Sequence, residues 1–458
     1  MVAVARLVVA APRSGSGKTT VATGLMAALS ARGHRVSPHK VGPDFIDPSY
    51  HAAAAGRPGR NLDPWLVGAG QVAGLFAAAA QGCDIAIVEG VMGMFDGIAG
   101  RGEFGSTAHV ARLIDAPVVL IVDASGTARS IAAMVHGFAS FDPGSAVAGV
   151  ILTKVGSDRH ELLLREALQE SGHRVLGALQ RDDALSIPAR HLGLVPVAER
   201  PAEVATWLAR LTAAVEAQVD LGAVVAVANS APGLHAEPWR PTPGDHRAAP
   251  VRVAVATGAA FTFGYAETFE LLAAAGAEVA GFDPVHDAAL PTGTDALVVG
   301  GGFPEVYAEQ LTANVTLREA VRALVGRGAP VVAECGGLLW LAATLDGREQ
   351  CGVVPADAAM TPRLTLGYRT ARAAADSPLA AAGTSVHAHE FHRTATVPAA
   401  GTAPGWSPAW RLEERTEGWS TQSLHASYLH VHWAGLPDPA LRLVAAARRT
   451  PAPAPAHR

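Results

Sequence analysis

From Leu7 to about Glu199, short runs of Val, Ile and Leu alternate with longer stretches of helical character. The clearest runs are residues 7–11, 84–89, 117–123 and 147–153. They are nearly continuous in apolar residues rather than alternating, which suits strands of a parallel sheet covered on both faces. Helices are expected between them, for instance at 18–31 and at 158–171, the second with Ser157 as its N-cap. This is the pattern of a doubly wound α/β domain. It weakens from Pro201 and fails over 231–250, a stretch with five prolines and two glycines. A second α/β series follows at 251–256, 278–282, 296–299 and 330–333, each strand with a helix after it. The expected division is therefore a first domain 1–200, a partly helical and then Pro-rich linker 201–250, a second domain 251–445, and a disordered tail 446–458.

Composition narrows the class. A length of 458 residues allows two or three domains at about 150 residues each. With 49% hydrophobic and 17% charged residues, there is enough apolar material for full cores, which excludes disorder as the overall state. The net charge of −5 comes without a long basic run, which argues against nucleic acid or an anionic membrane as the main partner. Three cysteines without a C-x-x-C pair make no disulfide framework, and a reducing cytoplasm is expected. The apolar start could imitate a signal peptide, but it breaks at Pro12 and runs into a Gly/Ser loop, so a buried first strand is expected. No apolar run approaches the ~20 residues needed to span a bilayer.

That loop carries the first candidate chemistry. In Ala11-Pro12-Arg13-Ser14-Gly15-Ser16-Gly17-Lys18-Thr19-Thr20 the Gly-Lys-Thr core follows a strand and opens a helix, as in a phosphate loop, although Pro12 stands where the first Gly belongs. Small residues let successive N–H groups face a phosphate, and the helix N-terminus adds a favourable dipole. Ser14, Gly15, Ser16, Gly17, Lys18, Thr19 and Thr20 are the expected ATP-binding residues, with Lys18 on the terminal phosphates and Thr19 on Mg²⁺. A Gly/Ser turn that binds nothing is the plain alternative. Asp44 and Asp47 follow in a Pro-bounded loop, Glu89 ends an apolar strand, and Asp96 comes soon after. Each alone could be a turn former. Beside a phosphate loop, they suggest a site for Mg²⁺ and an acyl phosphate, with Thr19, Asp47 and Glu89 as metal ligands.

The second half offers a nucleophile. Pro330-Val331-Val332-Ala333-Glu334-Cys335-Gly336-Gly337 reads as strand, sharp turn and helix, an elbow that would favour a thiolate at Cys335. Gly300-Gly301-Gly302 also follows a strand, and with Gly336 it gives an expected oxyanion hole at Gly302 and Gly336. An inert buried Cys is the alternative, and it suits Cys83 and Cys351 better. Six of the 18 histidines crowd the last segment. His387, His389 and His392 lack the paired Cys or repeated carboxylates of a zinc site. His430 is the preferred general base for Cys335.

Taken in order, these stretches resemble the a,c-diamide synthases of corrinoid biosynthesis, which act on hydrogenobyrinic or cobyrinic acid. The resemblance covers almost the whole chain. It rests on Ser14–Thr20, Lys40-Val41-Gly42-Pro43-Asp44-Phe45-Ile46-Asp47-Pro48, Val88-Glu89-Gly90-Val91-Met92-Gly93 and Arg190-His191-Leu192-Gly193-Leu194-Val195. It continues through Gly300-Gly301-Gly302-Phe303-Pro304-Glu305, Ala333-Glu334-Cys335-Gly336-Gly337, His389-Glu390-Phe391-His392 and Ser427-Tyr428-Leu429-His430. It implies an N-terminal phosphate-loop ATPase domain similar to dethiobiotin synthetase, fused to a triad-type (class I) glutamine amidotransferase domain. By motif, Cys335 and His430 are the nucleophile and its histidine, while Asp44, Asp47, Glu89 and Asp96 serve carboxylate activation. The implied substrates are a corrin polycarboxylate, ATP and L-glutamine, with Mg²⁺; a homodimer stays open.

The chemistry is coherent. A carboxylate has a poor leaving group, so ATP converts it to an acyl phosphate that ammonia displaces. Ammonia is mostly protonated at pH 7, which gives a glutaminase site its use. The expected reaction is ATP- and glutamine-dependent amidation of the a and c carboxylates of hydrogenobyrinic acid, with cobyrinic acid as the alternative substrate. Rivals are a cobyric acid synthase-like amidoligase, a cell-wall lipid amidotransferase pair and a partitioning-type switch ATPase. Three positions depart from the family pattern: Ala256-Thr257-Gly258 for Ala-Arg-Asp, Leu152-Thr153 for Leu-Asn, and His432 where related amidotransferases often carry Glu. The group that orients His430 is thus unassigned.

Overall fold

The computed structural model describes residues 3–187, 189–190, 193–245 and 247–450. The chain forms two compact units, one of the residues up to Pro64 with Gly68–Arg240, the other of Trp65–Val67 with the residues from Pro241 onward.

The first unit is built on seven strands: β1 (Ala5–Ala10), β2 (Val36–Val41), β3 (Arg60–Leu62), β4 (Ile85–Glu89), β5 (Val118–Asp123), β6 (Val147–Val155) and β7 (Val175–Gln180). They run in the order β3-β2-β4-β1-β5-β6-β7, and every pairing is parallel. Residues of β1, β4 and β5 are buried on both faces, which explains their unbroken Val/Ile/Leu content. Strand order reverses about β1, and in such sheets ligands sit beyond the carboxyl ends of the strands at that point. Helices cross over between the strands, among them Lys18–Ala31 and Asp158–Glu170, where Ser157 Oγ accepts the His160 N–H at 3.2 Å. The α/β doubly wound expectation holds. Helices Pro201–Gln218 and Leu221–Asn229 pack onto this unit and extend it past residue 200. Buried Arg6 then ties the following Pro-rich stretch back to β1 through the Pro232 carbonyl at 2.6 Å.

In the second unit a six-stranded sheet runs in the order Ala277–Phe282, Val251–Ala256, Ala296–Val299, Val331–Glu334, Leu424–Ser427, Trp419–Ser420. It is parallel except for its last pair. Beside it lies a mostly antiparallel sheet that the sequence pattern does not suggest. Its centre is the pair Asp357–Ala373 and Ser385–Val397, with Leu429–Val431 along the second of these. Pro362, Gly367 and a half-exposed surface blur the period-two signal, and the register shifts between Met360 and Thr365. The last helix, Pro439–Arg449, buries Leu443, Val444 and Ala447, so residues 446–449 are helical rather than part of a tail; residues 451–458 lie outside the described residues. No helix among the described residues is long and apolar enough to cross a membrane.

Candidate functional site

The phosphate loop joins β1 to helix Lys18–Ala31, with Gly17 at φ 92° setting the turn into the helix. Lys18 is folded back within the loop region, donating from Nζ to the Met92 carbonyl at 2.5 Å and the Arg13 carbonyl at 3.3 Å. Burial and then nearby Lys40 lower its ammonium pKa to about 8. Thr153 donates from Oγ1 to the Ser16 carbonyl at 2.9 Å, so the residue standing in place of the family Asn supports the loop. A cavity of about 190 Å³ lies beside the loop, lined by Gly17, Thr20, Thr153, Leu179 and Arg181 among others.

Thr19, Asp47 and Glu89 come together as the sequence suggests. Thr19 Oγ1 donates to Glu89 Oε1 at 2.6 Å and is 3.4 Å from Asp47 Oδ2. Two residues that sequence reasoning passed over complete the cluster. Lys40 Nζ bridges Asp47 at 2.6 Å and Glu89 at 2.8 Å, and His51 Nε2 meets Glu89 Oε2 at 2.6 Å. Lys40 sat inside the quoted motif and carried a signal; His51, one turn past Asp47 on helix Asp47–Ala55, carried none. Burial opposes the Glu89 carboxylate, but Lys40 and His51 outweigh it and hold its pKa well below the usual range. Asp47 goes the other way: burial and the neighbouring Asp44 push it up to about 8, against Lys40. The cluster thus pairs one carboxylate held ionised, Glu89, with one that burial pushes toward its protonated form, Asp47. Asp44 is spent differently. Its Oδ1 accepts the Ile46 and Asp47 N–H groups at 2.7 and 2.9 Å, the geometry of a turn before a helix. Asp96 Oδ2 accepts the Gly93 N–H at 2.8 Å in the loop that also holds Met92.

In the second unit, Cys335 stands at φ 47°, ψ −101° between strand Val331–Glu334 and helix Gly336–Leu341, a strained elbow that presents its thiol. The thiol is buried and lies 3.6 Å from the Phe391 carbonyl. Contrary to the expectation of a low-pKa thiolate, burial and then the Glu305 charge push its pKa up, only partly offset by the Gly336 N–H. A six-residue helix gives a weak dipole, while desolvation acts in full. Gly301 and Gly302 approach the elbow closely. A β-carbon on Gly302 would lie 2.1 Å from the Ala260 carbonyl oxygen, and one on Gly301 would lie 2.5 Å from His430 Cε1. Gly336 meets Gly302 there: its own β-carbon would stand 2.9 Å from the Gly302 nitrogen.

His430 is fully buried on strand Leu429–Val431, opposite His389. Burial, with His389 and His392 nearby, lowers its pKa to about 3, which keeps the imidazole neutral. Glu334, the residue before the nucleophile, has Oε2 at 4.0 Å from His430 Nδ1. Burial pushes Glu334 up to about 8. His432 lies 3.5 Å from Glu267 and stacks on Tyr265 at 4.3 Å. The clustered histidines take separate partners: His387 the Trp65 carbonyl at 2.8 Å, and His392 the buried Glu390 at 3.1 Å. Among the described residues, no three His, Cys, Asp or Glu side chains converge as a metal site. In the Arg190–Val195 motif, His191 and Leu192 lie outside the described residues; the flanking Ala189–Arg190 and Gly193–Leu194 pair antiparallel.

Comparison with known proteins matches both units. Residues 7–195 match the CobQ/CobB/MinD/ParA nucleotide binding domain, and residues 252–437 match the CobB/CobQ-like glutamine amidotransferase domain. The hydrogenobyrinate a,c-diamide synthase of Streptomyces coelicolor is 55% identical, over 96% of this chain and 97% of that protein. The cobyrinate a,c-diamide synthase of a Synechococcus strain is 42% identical, over 94% of this chain and 96% of that protein. A solved glutamine amidotransferase covers 43% of this chain and 98% of its own at 20% identity, with a TM-score of 0.30, too low to carry an argument. With full-length identity at these levels, and with a phosphate loop and a cysteine elbow both in place, this chain belongs to the a,c-diamide synthase family, in which a nucleotide-binding domain is joined to a glutamine amidotransferase domain.

Proposed function

We propose that this chain converts hydrogenobyrinic acid to its a,c-diamide, using ATP to activate each carboxylate as an acyl phosphate and glutamine as the source of ammonia. The observation that carries the substrate is the 55% identity to a hydrogenobyrinate a,c-diamide synthase over nearly the full length of both chains, against 42% to a cobyrinate enzyme.

In the first unit, a substrate carboxylate oxygen attacks the γ-phosphorus of ATP and ADP departs. Ser14 to Thr20 bind the phosphates through backbone N–H groups, and Lys18 turns from the Met92 carbonyl to the transferring phosphoryl group. The nucleoside is assigned to the 190 Å³ cavity beside Thr153. Thr19, Asp47 and Glu89 supply hard oxygen donors that suit a divalent cation. Mg²⁺ bound by these groups would neutralise phosphate oxygens. Lys40, fixed between the two carboxylates, holds them in place, and together with His51 it keeps Glu89 ionised. Asp96 acts near the same loop, while Asp44 acts mainly through the turn that presents Asp47.

In the second unit, Cys335 gives its proton to His430 as sulfur attacks the glutamine amide carbon. The N–H groups of Gly302 and Gly336 hold the oxyanion, and the protonated His430 passes the proton to the departing nitrogen, which leaves as NH₃. Water then clears the glutamyl thioester. Glu334 is the carboxylate positioned to orient His430 through Nδ1, in place of the acid that related enzymes carry where this chain has His432. Ammonia attacks the acyl carbon and phosphate leaves.

The test offers metal-free and cobalt-containing acids separately, with ATP, Mg²⁺ and glutamine, and follows products by mass. Each amidation exchanges OH for NH₂. Two exchanges on the metal-free acid are expected; clear preference for the cobalt-containing acid overturns the substrate and leaves the reaction type standing.

A further inference from the structure

The second unit holds a cavity of about 720 Å³ that neither reactive cluster uses. Trp65, Tyr368, Arg369, Arg372, Arg411 and Arg415 line it, and two glutamates, Glu413 and Glu414, share its wall. The volume is within the ~300–1,000 Å³ of small-molecule sites.

Its arginines bring like charges together. Arg372 and Arg411 stand directly opposite each other where Asp357–Ala373 pairs antiparallel with Trp410–Arg411. Like charges facing each other across a ladder repel. Neither has an ion-pair partner among the described residues; Arg372 donates once, to the Gly383 carbonyl at 3.0 Å. The other two arginines are locked. Glu390, fully buried, accepts from Arg369 Nε at 2.7 Å and from Arg415 Nη2 at 2.7 and 2.8 Å. That leaves Arg369 Nη2 and Arg415 Nε and Nη1 without an acceptor among the described residues, on guanidinium groups already held by Glu390. The aromatic wall is fixed as well. The Trp65 ring stacks on His387 at 4.2 Å and lies 5.7 Å from Tyr368. Preorganised guanidinium donors next to aromatic rings suit a flat, conjugated ligand edged with carboxylates.

We propose that this basin binds the corrin substrate through carboxylates that do not react: Arg372 and Arg411 share one side-chain carboxylate, Arg369 and Arg415 take another, and Trp65 and Tyr368 pack against the macrocycle. The proposal rests on the functional reading above and adds residues that decide which polyanion the enzyme accepts. An anion between Arg372 and Arg411 turns their repulsion into a bidentate clamp.

The test titrates metal-free hydrogenobyrinic acid into the full-length protein, following corrin absorbance. Arg372→Ala, Arg411→Ala and the double variant are compared with wild type, and ATP is titrated as a second arm. Each single change is expected to weaken corrin binding about tenfold, the loss of one charge-assisted clamp, with ATP affinity unchanged. Salt should weaken wild-type corrin binding and affect the double variant less. In turnover, KM for the corrin rises while kcat is kept, because the contacts are made equally in the ground and transition states. Without ligand, Arg411→Ala should melt no lower than wild type. Corrin affinity unchanged in the double variant overturns the proposal, as does an equal loss of ATP affinity. The two readings fail separately. A wild-type protein that binds the acid in an arginine-dependent way but makes no amide loses the function and keeps the basin. One that amidates with the double variant binding normally loses only the basin.

Discussion

Lys40 lies 2.6 and 2.8 Å from two buried carboxylates, whereas Glu334 stands 4.0 Å from His430 and Cys335 is kept protonated by burial. The first cluster contains a formed and fixed ion pair, Lys40 with Glu89. The second keeps its acid, base and nucleophile close to neutrality, with His430 lowered to about 3 and Glu334 raised to about 8. The difference follows the ligands. A triphosphate and a carboxylate, the ligands proposed for the first unit, bring charge, which polar groups already fixed in place meet with little reorganisation. A glutamine amide brings none, so charge there need appear only as the thiol passes its proton on.

The strongest way to break this comparison is to remove one charge from the first cluster. Lys18→Ala should cut diamide synthesis by about 10³-fold or more with glutamine or ammonium as nitrogen source, since both need the acyl phosphate, while glutamine hydrolysis persists. Normal synthesis from ammonium salts would remove Lys18 from the site. Cys335→Ser should lower glutamine-dependent synthesis by about 10³-fold yet still make the diamide from ammonium at high pH. Full glutamine-dependent activity in that variant would end the amidotransferase assignment.

Titration sharpens the contrast. Lys18 has its pKa lowered, so its cation is lost as pH rises through about 8, and kcat/KM for ATP should fall there. Glu334 has its pKa raised, so its carboxylate forms over the same range, and kcat/KM for glutamine hydrolysis should rise there. Initial rates across pH 6–9 measure both. Glu334→Gln should flatten the second limb and leave the first; a rise that survives the change removes Glu334 as its source. His389 and Glu390 also surround this pair; their pKa values, lowered to about 4 and about 2, keep each in one charge state across that range.

The smallest effect separates charge from turn-making in the acidic loop. Asp44→Asn retains an acceptor for the Ile46 and Asp47 N–H groups, while Asp44→Ala leaves both without it, at a cost of about 1 kcal/mol in unfolding free energy. If synthesis falls in the Ala variant and survives in the Asn variant, Asp44 acts through the turn. Loss in both makes its charge part of activation.

How much of this could be read beforehand depends on the range over which each residue acts. Strands β1, β4, β5 and β6 were legible because burial on both faces leaves an unbroken apolar run. The phosphate loop and the Cys335 elbow were legible because a strand, a turn and a helix in series are local events, written in neighbouring residues. The paired strands Asp357–Ala373 and Ser385–Val397 were not, since Pro362, Gly367 and a half-exposed face erase the alternation.

The sequence by itself determined the class of fold, the two reactive motifs and the kind of reaction, because those depend on residue type and short spacing. Only the tertiary structure decided the partners: His51 on Glu89 from 38 residues away, Lys40 between two carboxylates, Glu334 beside His430, and Arg372 across from Arg411. It also decided the charge states. A pKa is set by how much water a group has lost and which charges lie within a few ångströms, and neither is fixed until distant segments have packed together.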